Sequence, residues 1–143
     1  MDILTTFRVS ASALKANSIR LNTISSNLAN VETTSTPEGG PYKKKSVYFQ
    51  TKPVSFQDQL NSSLGNSAQG VEVTKIIEDQ EPARKVYSPS HPDAGPDGYV
   101  EMPNISVLEE MVDMMSATRS YQANVTTIKS AKRMAMKALE IGR

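Results

Sequence analysis

The chain has 143 residues, 38% of them hydrophobic and 22% charged, which suits one ordinary domain or two thin ones better than a large enzyme. Sixteen Lys and Arg against fifteen Asp and Glu leave a formal charge of +1, so no global field recommends a nucleic acid or an anionic membrane as partner. Cysteine is absent and His91 is the single histidine, which removes disulfides, thiol nucleophiles and Cys-ligated zinc and leaves little imidazole chemistry. An enzyme, a cofactor, a metal and a small-molecule substrate are therefore not expected.

Residues 1–21 scatter Arg8, Lys15 and Arg20 among apolar positions and lack the continuous apolar core of a secretory signal peptide. No run of about eighteen apolar residues occurs, so no membrane-spanning helix is expected. All eight prolines fall between Pro37 and Pro103 and six of seven glycines between Gly39 and Gly98. Breakers at that density force short strands and turns, whereas arms free of them can run as long helices. The chain divides on this basis into an N-terminal helical arm (1–36), a small β-rich middle domain (37–103) and a C-terminal helical arm (104–143).

In the N-terminal arm Phe7, Leu14, Leu21 and Leu28 recur every seven residues, with Ile3, Ser10, Asn17, Ile24 and Val31 at the intervening positions. That heptad pattern predicts a helix of roughly 40 Å that packs along a narrow stripe against a partner helix.

In the middle, Ser35 to Pro41 reads as a turn and Lys44 to Phe56 has strand composition. Phe56 to Leu64 reads as a short helical turn ended by Gly65. Val71 to Lys75, Lys85 to Ser88 and Tyr99 to Met102 are further strands, with a tight turn at Pro96-Asp97-Gly98. Together they predict one antiparallel β unit of about sixty-five residues, near the size where a single core becomes marginal.

The C-terminal arm offers Asn104 or Ser106 as N-cap, with Glu109 and Glu110 in the first turn. Residues 101–113 hold four acids and no base, and residues 119–143 six bases and one acid, the order that a helix dipole favours. Two heptad sets follow: Met111, Thr118, Val125, Lys132 and Leu139, and Met114, Tyr121, Ile128, Ala135 and Gly142. Antiparallel packing of the arms would put Leu21 near Thr118 and Leu14 near Val125. The fold class is α+β, two long terminal helices pairing as a coiled-coil-like layer beside a small β-rich middle domain.

Other clusters carry weaker chemistry. Serines and aspartates around His91 lie in a Pro-rich segment that reads as an exposed loop, without the scaffold or oxyanion hole of a triad. Lys43-Lys44-Lys45 reads as a solvated strand edge rather than a nucleic-acid patch, and Gly39-Gly40-Pro41 lacks the spacing of a phosphate loop. Glu78, Asp79 and Glu81 lack the spacing of a calcium loop. Ordinary helix packing accounts for Met111, Met114, Met115, Met134 and Met136, with an adaptable binding surface as the alternative.

The run Ser26-Asn27-Leu28-Ala29-Asn30, followed by Thr33 and Thr34, resembles the N-terminal signature of bacterial flagellar axial proteins, the rod, hook and hook-associated subunits. Thr36 to Phe49 departs from the Thr-Gly-Tyr or Thr-Gly-Phe pattern of hook and distal-rod members and is similar to that of a proximal-rod member. Glu109 to Met115, Arg119 to Val125 and Ala138 to Arg143 resemble the other end of the same family, so the likeness spans essentially the whole chain.

The resemblance implies a non-enzymatic structural subunit whose terminal helices form the inner coiled-coil layer of a tubular rod, with the middle domain outside. It also implies passage through the flagellar type III export apparatus without a cleavable signal, into the rod of the basal body that spans the periplasm. Implied partners are other copies, other rod proteins, the export gate, the MS ring with its adapter proteins, and the surrounding rings. The motif residues carried over as an assembly interface are Asn27, Leu28, Ala29 and Asn30 on one helix and Glu110, Met111, Arg119, Tyr121, Asn124 and Val125 on the other. The seams add Phe7, Leu14, Leu21, Ile24, Met114, Ile128 and Leu139. Two rivals from other classes are a helical adapter of finite stoichiometry and a small hydrolase using His91.

Overall fold

The computed structural model describes residues 3–51 and 69–142. The helical turn expected at Phe56 to Leu64, and the end of the first strand candidate, lie outside the described residues. The elements follow in the order α1 (Ile3–Ala29), β1 (Lys45–Thr51), β2 (Val71–Glu78), β3 (Arg84–Tyr87), β4 (Tyr99–Met102) and α2 (Val107–Ile141). With 27 and 35 residues the helices run about 40 and about 52 Å.

Asn30 ends α1. Its backbone N–H reaches the carbonyls of Ser26 and Asn27, its side-chain amide donates to Ser26 O at 2.8 Å, and its Oδ1 accepts from the Thr33 hydroxyl. These bonds satisfy carbonyls that the last turn leaves open. Of the two N-cap candidates for α2, Ser106 holds the position, with extended backbone and a hydroxyl that accepts from the N–H of Glu109. Val100, Pro103 and Ile105 are all buried, so the chain leaving β4 is anchored before the helix begins.

The helices pack antiparallel: Asn27 bonds Glu110, and Arg20, earlier on α1, bonds Asp113, later on α2. The contact line differs from the leucine heptad. Buried positions on α1 are Ser10, Ala16, Thr23, Ile24 and Asn27, while Phe7, Leu14, Leu21 and Leu28 are half-buried on its flank. On α2 the buried positions are Glu110, Ala117 and Ala131, with Met114, Asn124, Ile128 and Ala135 half-buried beside them. The expected set Met111, Thr118, Val125, Lys132 and Leu139 thus sits one residue past the centre of the seam. Met111, Lys132 and Leu139 are exposed, and Thr118 and Val125 are half-buried at the margin. Small residues explain the shift, because alanine and serine let two helix backbones approach closely while larger side chains spread to the edges.

Among the described residues the middle segment forms two two-stranded sheets instead of one unit. In the first, β1 and β2 pair antiparallel from Lys45↔Glu78 to Thr51↔Val71, with a bulge between Tyr48 and Phe49, and both strands pack on α1. Ser12 on α1 fixes where β2 begins: its hydroxyl accepts from Val71 N–H at 3.1 Å and donates to Val9 O at 2.7 Å. A Cβ at Gly70 would lie 2.6 Å from the Ser12 oxygen, so a larger residue there would displace that hydroxyl or the start of β2.

In the second sheet β3 and β4 pair from Arg84↔Met102 to Tyr87↔Tyr99, closed by an edge-to-face contact between the two tyrosines. The expected tight turn is present, with Gly98 at φ +74° and its N–H on Gly95 O. This sheet is tied to the rest by Thr34 on Asp93 at 2.6 Å and Asn104 on Glu81 at 2.7 Å.

Candidate assembly site

The polar centre of the molecule is Asn27, 1% exposed, at the crossing of α1, β1 and α2. Its amide nitrogen donates to Lys45 O at 2.9 Å and to Glu110 Oε2 at 3.0 Å. Its oxygen accepts from Lys45 N–H at 2.9 Å and from the Tyr42 hydroxyl at 3.1 Å. Both donors and both lone pairs of the side chain are used. The amide grips both backbone groups of Lys45 as a neighbouring strand would, so it docks the first residue of β1 directly onto the helix.

Glu110, 2% exposed, completes the joint: its other oxygen holds the Lys44 ammonium at 2.9 Å. A carboxylate at this depth is tolerable only with charge-assisted partners, and it has two. The Glu110 hydrogen bond, aided by the Glu109 and Asp113 charges, raises the Lys44 pKa above the usual 10.5 against the opposing effect of burial. Ser26 extends the network to the Tyr42 hydroxyl at 3.3 Å, and Tyr42 N–H bonds Thr33 O.

The structure therefore places Asn27 and Glu110 inside the chain's own joint, with Asn30, half-buried, closing the end of α1 next to it. Ile24 is buried beside them, and Leu28 is half-buried. Ala29, Met111, Arg119, Tyr121 and Leu139 lie on the surface, and Asn124, half-buried, donates back to Ser120 O of its own helix. Of the five methionines considered above only Met114 is half-buried; Met111, Met115, Met134 and Met136 are exposed.

Sequence reading missed the lysines of the joint. Lys43 is the solvated residue expected of the triplet, whereas Lys44 pairs with a buried acid and Lys45 lends its backbone to Asn27. The only signal was the pairing of an acid in the first turn of α2 with a basic run at a strand entrance, which composition does not reveal. The ring of His91, in the loop between β3 and β4, accepts from Asp93 N–H at 3.1 Å, and among the described residues no serine hydroxyl bonds it.

Two antiparallel terminal helices, locked to a small β unit by one saturated amide and carrying apolar side chains on their outer surfaces, define a subunit of the axial type. Residues 7–35 match the family described as flagella basal body rod protein, and residues 97–141 match the C-terminal region described as flagellar basal body rod FlgEFG protein. The chain is 48% identical to the flagellar basal-body rod protein FlgC of Bacillus subtilis, across 100% of both chains. It is 43% identical to that of Salmonella typhimurium, across 99% of both, and 40% identical to that of Borreliella burgdorferi, across 99% of this chain and 98% of the other. The chain belongs to the FlgC family of flagellar basal-body rod proteins, which is structural and not enzymatic.

Proposed function

We propose that this subunit polymerises through its two terminal helices into the rod of the basal body, a shaft that transmits torque and through which later axial proteins are exported. The arms at 1–36 and 104–143 form the polymerising layer and the middle domain at 37–103 faces outward. Neighbours are other copies and other rod proteins, with the export gate and MS-ring adapters at the base and the rings outside. The chain reaches its periplasm-spanning position by type III export.

One observation carries the reading: the helix pair closes its own seam with small residues and leaves Leu108, Met111, Val112, Met115, Leu139 and Ile141 exposed. Apolar surface of that extent is covered by other chains in an assembly. Electron microscopy of basal bodies from cells expressing a copy labelled in the β3–β4 loop should put the label on the rod. Leu21→Asp, which sets a charge on the half-buried flank of α1, should remove the protein from the rod while the β strands stay folded. A label found only in a soluble complex of fixed stoichiometry would establish the adapter instead.

A further inference from the structure

A strand in a two-stranded sheet keeps one edge that its hairpin partner does not pair, and such an edge is a template for another chain unless it is blunted. Among the described strands, three are blunted. The outer edge of β2 starts with Val71 N–H bonded to Ser12, bends at the bulge residue Thr74 and carries Lys75. Strands β3 and β4 are four residues each and carry Arg84, Lys85 and Glu101. Strand β1 differs: from Ser46 to Thr51 it has neither a charge nor a proline, and Tyr48 and Phe49 are exposed.

The direction of its backbone groups follows from the ladder. Lys44 O accepts from Asp79 N–H across the hairpin, so Lys45 turns its own N–H and C=O away from β2, where Asn27 takes both. The extra residue of the bulge, Thr74, lies on β2, so β1 keeps its alternation, and Val47 and Phe49 turn their backbone groups to the same side as Lys45. Among the described residues no group bonds them there. Beside them lies a groove of about 310 Å³, lined by Thr23 and Ile24 of α1, by Glu110 and by the Arg20–Asp113 pair that bridges α1 to α2. Glu110 is bonded to Asn27, which places this groove on the outward side of β1.

We propose that an extended, uncharged segment of a different protein adds to this edge as a third strand, exchanging main-chain hydrogen bonds with Val47 and Phe49. This rests on the rod reading above and adds a mode of contact separate from the helix surfaces. Asn27 already acts as the neighbouring strand at Lys45, so the incoming segment continues a pairing that the chain itself begins. The occupant is extended because the unmet groups are backbone donors and acceptors two residues apart, which an adjoining strand matches and a helix, with its own backbone bonds closed, does not. It is uncharged because the cations beside the groove are taken: Arg20 by Asp113, Lys44 by Glu110 and Lys45 by Glu78. It has no proline where it must donate. A second copy does not supply it, since the described strands of each copy are paired in hairpins and each β1 edge lies against its own helices.

Amide hydrogen exchange, resolved residue by residue with mass spectrometry, tests the edge directly. In the purified full-length chain the amides of Val47 and Phe49 should exchange at least about tenfold faster than that of Tyr48, which faces β2, and in purified basal bodies they should slow by about tenfold or more. Val47→Pro removes one outward N–H at a position where an edge strand tolerates proline, so the purified variant should keep its β signal yet enter basal bodies several-fold less well. Val47→Thr, which keeps that N–H, should enter normally. A benzophenone amino acid in place of Phe49 should cross-link in cells to one uncharged segment of a different protein. Fast exchange of both amides in basal bodies, normal entry of a folded Val47→Pro chain, or a cross-link only within the chain or to a second copy would each overturn the inference. Should Val47→Pro fail to fold, exchange in the natural chain decides. A chain present in the rod with these amides unprotected rejects this inference alone, whereas a chain absent from the rod rejects the rod reading and this inference with it.

Discussion

The side chain of Asn27 on α1 donates to the carboxylate of Glu110 on α2 at 3.0 Å, joining residues 83 positions apart, and the same amide nitrogen also holds Lys45 O. One residue therefore couples helix pairing to the placement of the first strand. Leu28 and Ala29 beside it carry no comparable bond, so the weight of the Asn-Leu-Ala-Asn run rests on its two asparagines.

Asn27→Ala should lower stability by about 3 kcal/mol or more. It strips partners from the backbone of Lys45, the Tyr42 hydroxyl and one Glu110 oxygen at once, and each buried group left unpaired costs about 1–3 kcal/mol. Urea denaturation of the full chain measures it, with near-UV circular dichroism reporting the surroundings of Tyr42. An unchanged midpoint would show that the joint is dispensable.

The two long helices and the strands between them were legible because every proline and all but one glycine punctuate the centre, and a helix shows itself by their absence. Direction was legible too, since a compact middle returns the chain beside its first arm. The true seam was hidden. Leucine every seventh residue announces a stripe, but the closest helix approach falls on Ser10, Ala16, Ala117 and Ala131, whose small size contributes little to a hydrophobic pattern. Glu110 and Lys44 were hidden for a related reason, because a charge that finds its partner across the fold looks, in sequence, like one that faces water. The separation into two sheets depends on tertiary contacts of α1 with β1 and β2, which local strand propensity does not contain.

Lys44 sets a pH limit on the joint. Its pKa is raised in the folded state above 10.5, so folding favours the protonated form. The stabilisation is complete below the unfolded-state value and is lost as pH rises through the higher folded-state value. Melting temperatures taken from about pH 9 to about pH 11.5 should fall more steeply for the natural chain than for Lys44→Met, which has nothing to lose there. Parallel profiles would deny the ion pair any role in stability.

Gly70→Ala should destabilise the chain by about 1–3 kcal/mol, because the added methyl meets the Ser12 oxygen at 2.6 Å and pushes the start of β2 from the helix. Ser12→Ala alone should also cost stability by leaving Val71 N–H unpaired. The double variant should be less damaged than the two losses added together, since removing the hydroxyl clears room for the methyl. Additive losses in a double-mutant cycle would place the two effects at independent sites.

His91→Ala should leave stability within about 0.5 kcal/mol and motility unchanged, as among the described residues its ring hydrogen-bonds only the loop's own Asp93. Swimming in soft agar and a thermal melt are sufficient. Lost motility at normal protein levels would give this loop a function of its own.

The position of the helix seam can be tested by size alone. Ala117 is 1% exposed between the helices, whereas Met111, in the alternative heptad, faces outward. Ala117→Leu adds three carbons where no space exists and should cost about 1–3 kcal/mol through forced rotamers or separation of the helices. Met111→Leu keeps volume at an exposed site and should shift stability by no more than about 0.5 kcal/mol. Paired thermal melts of the two purified variants decide between the registers. A mild Ala117→Leu alongside a damaging Met111→Leu would return the seam to the leucine and methionine heptad and move the small residues to the surface.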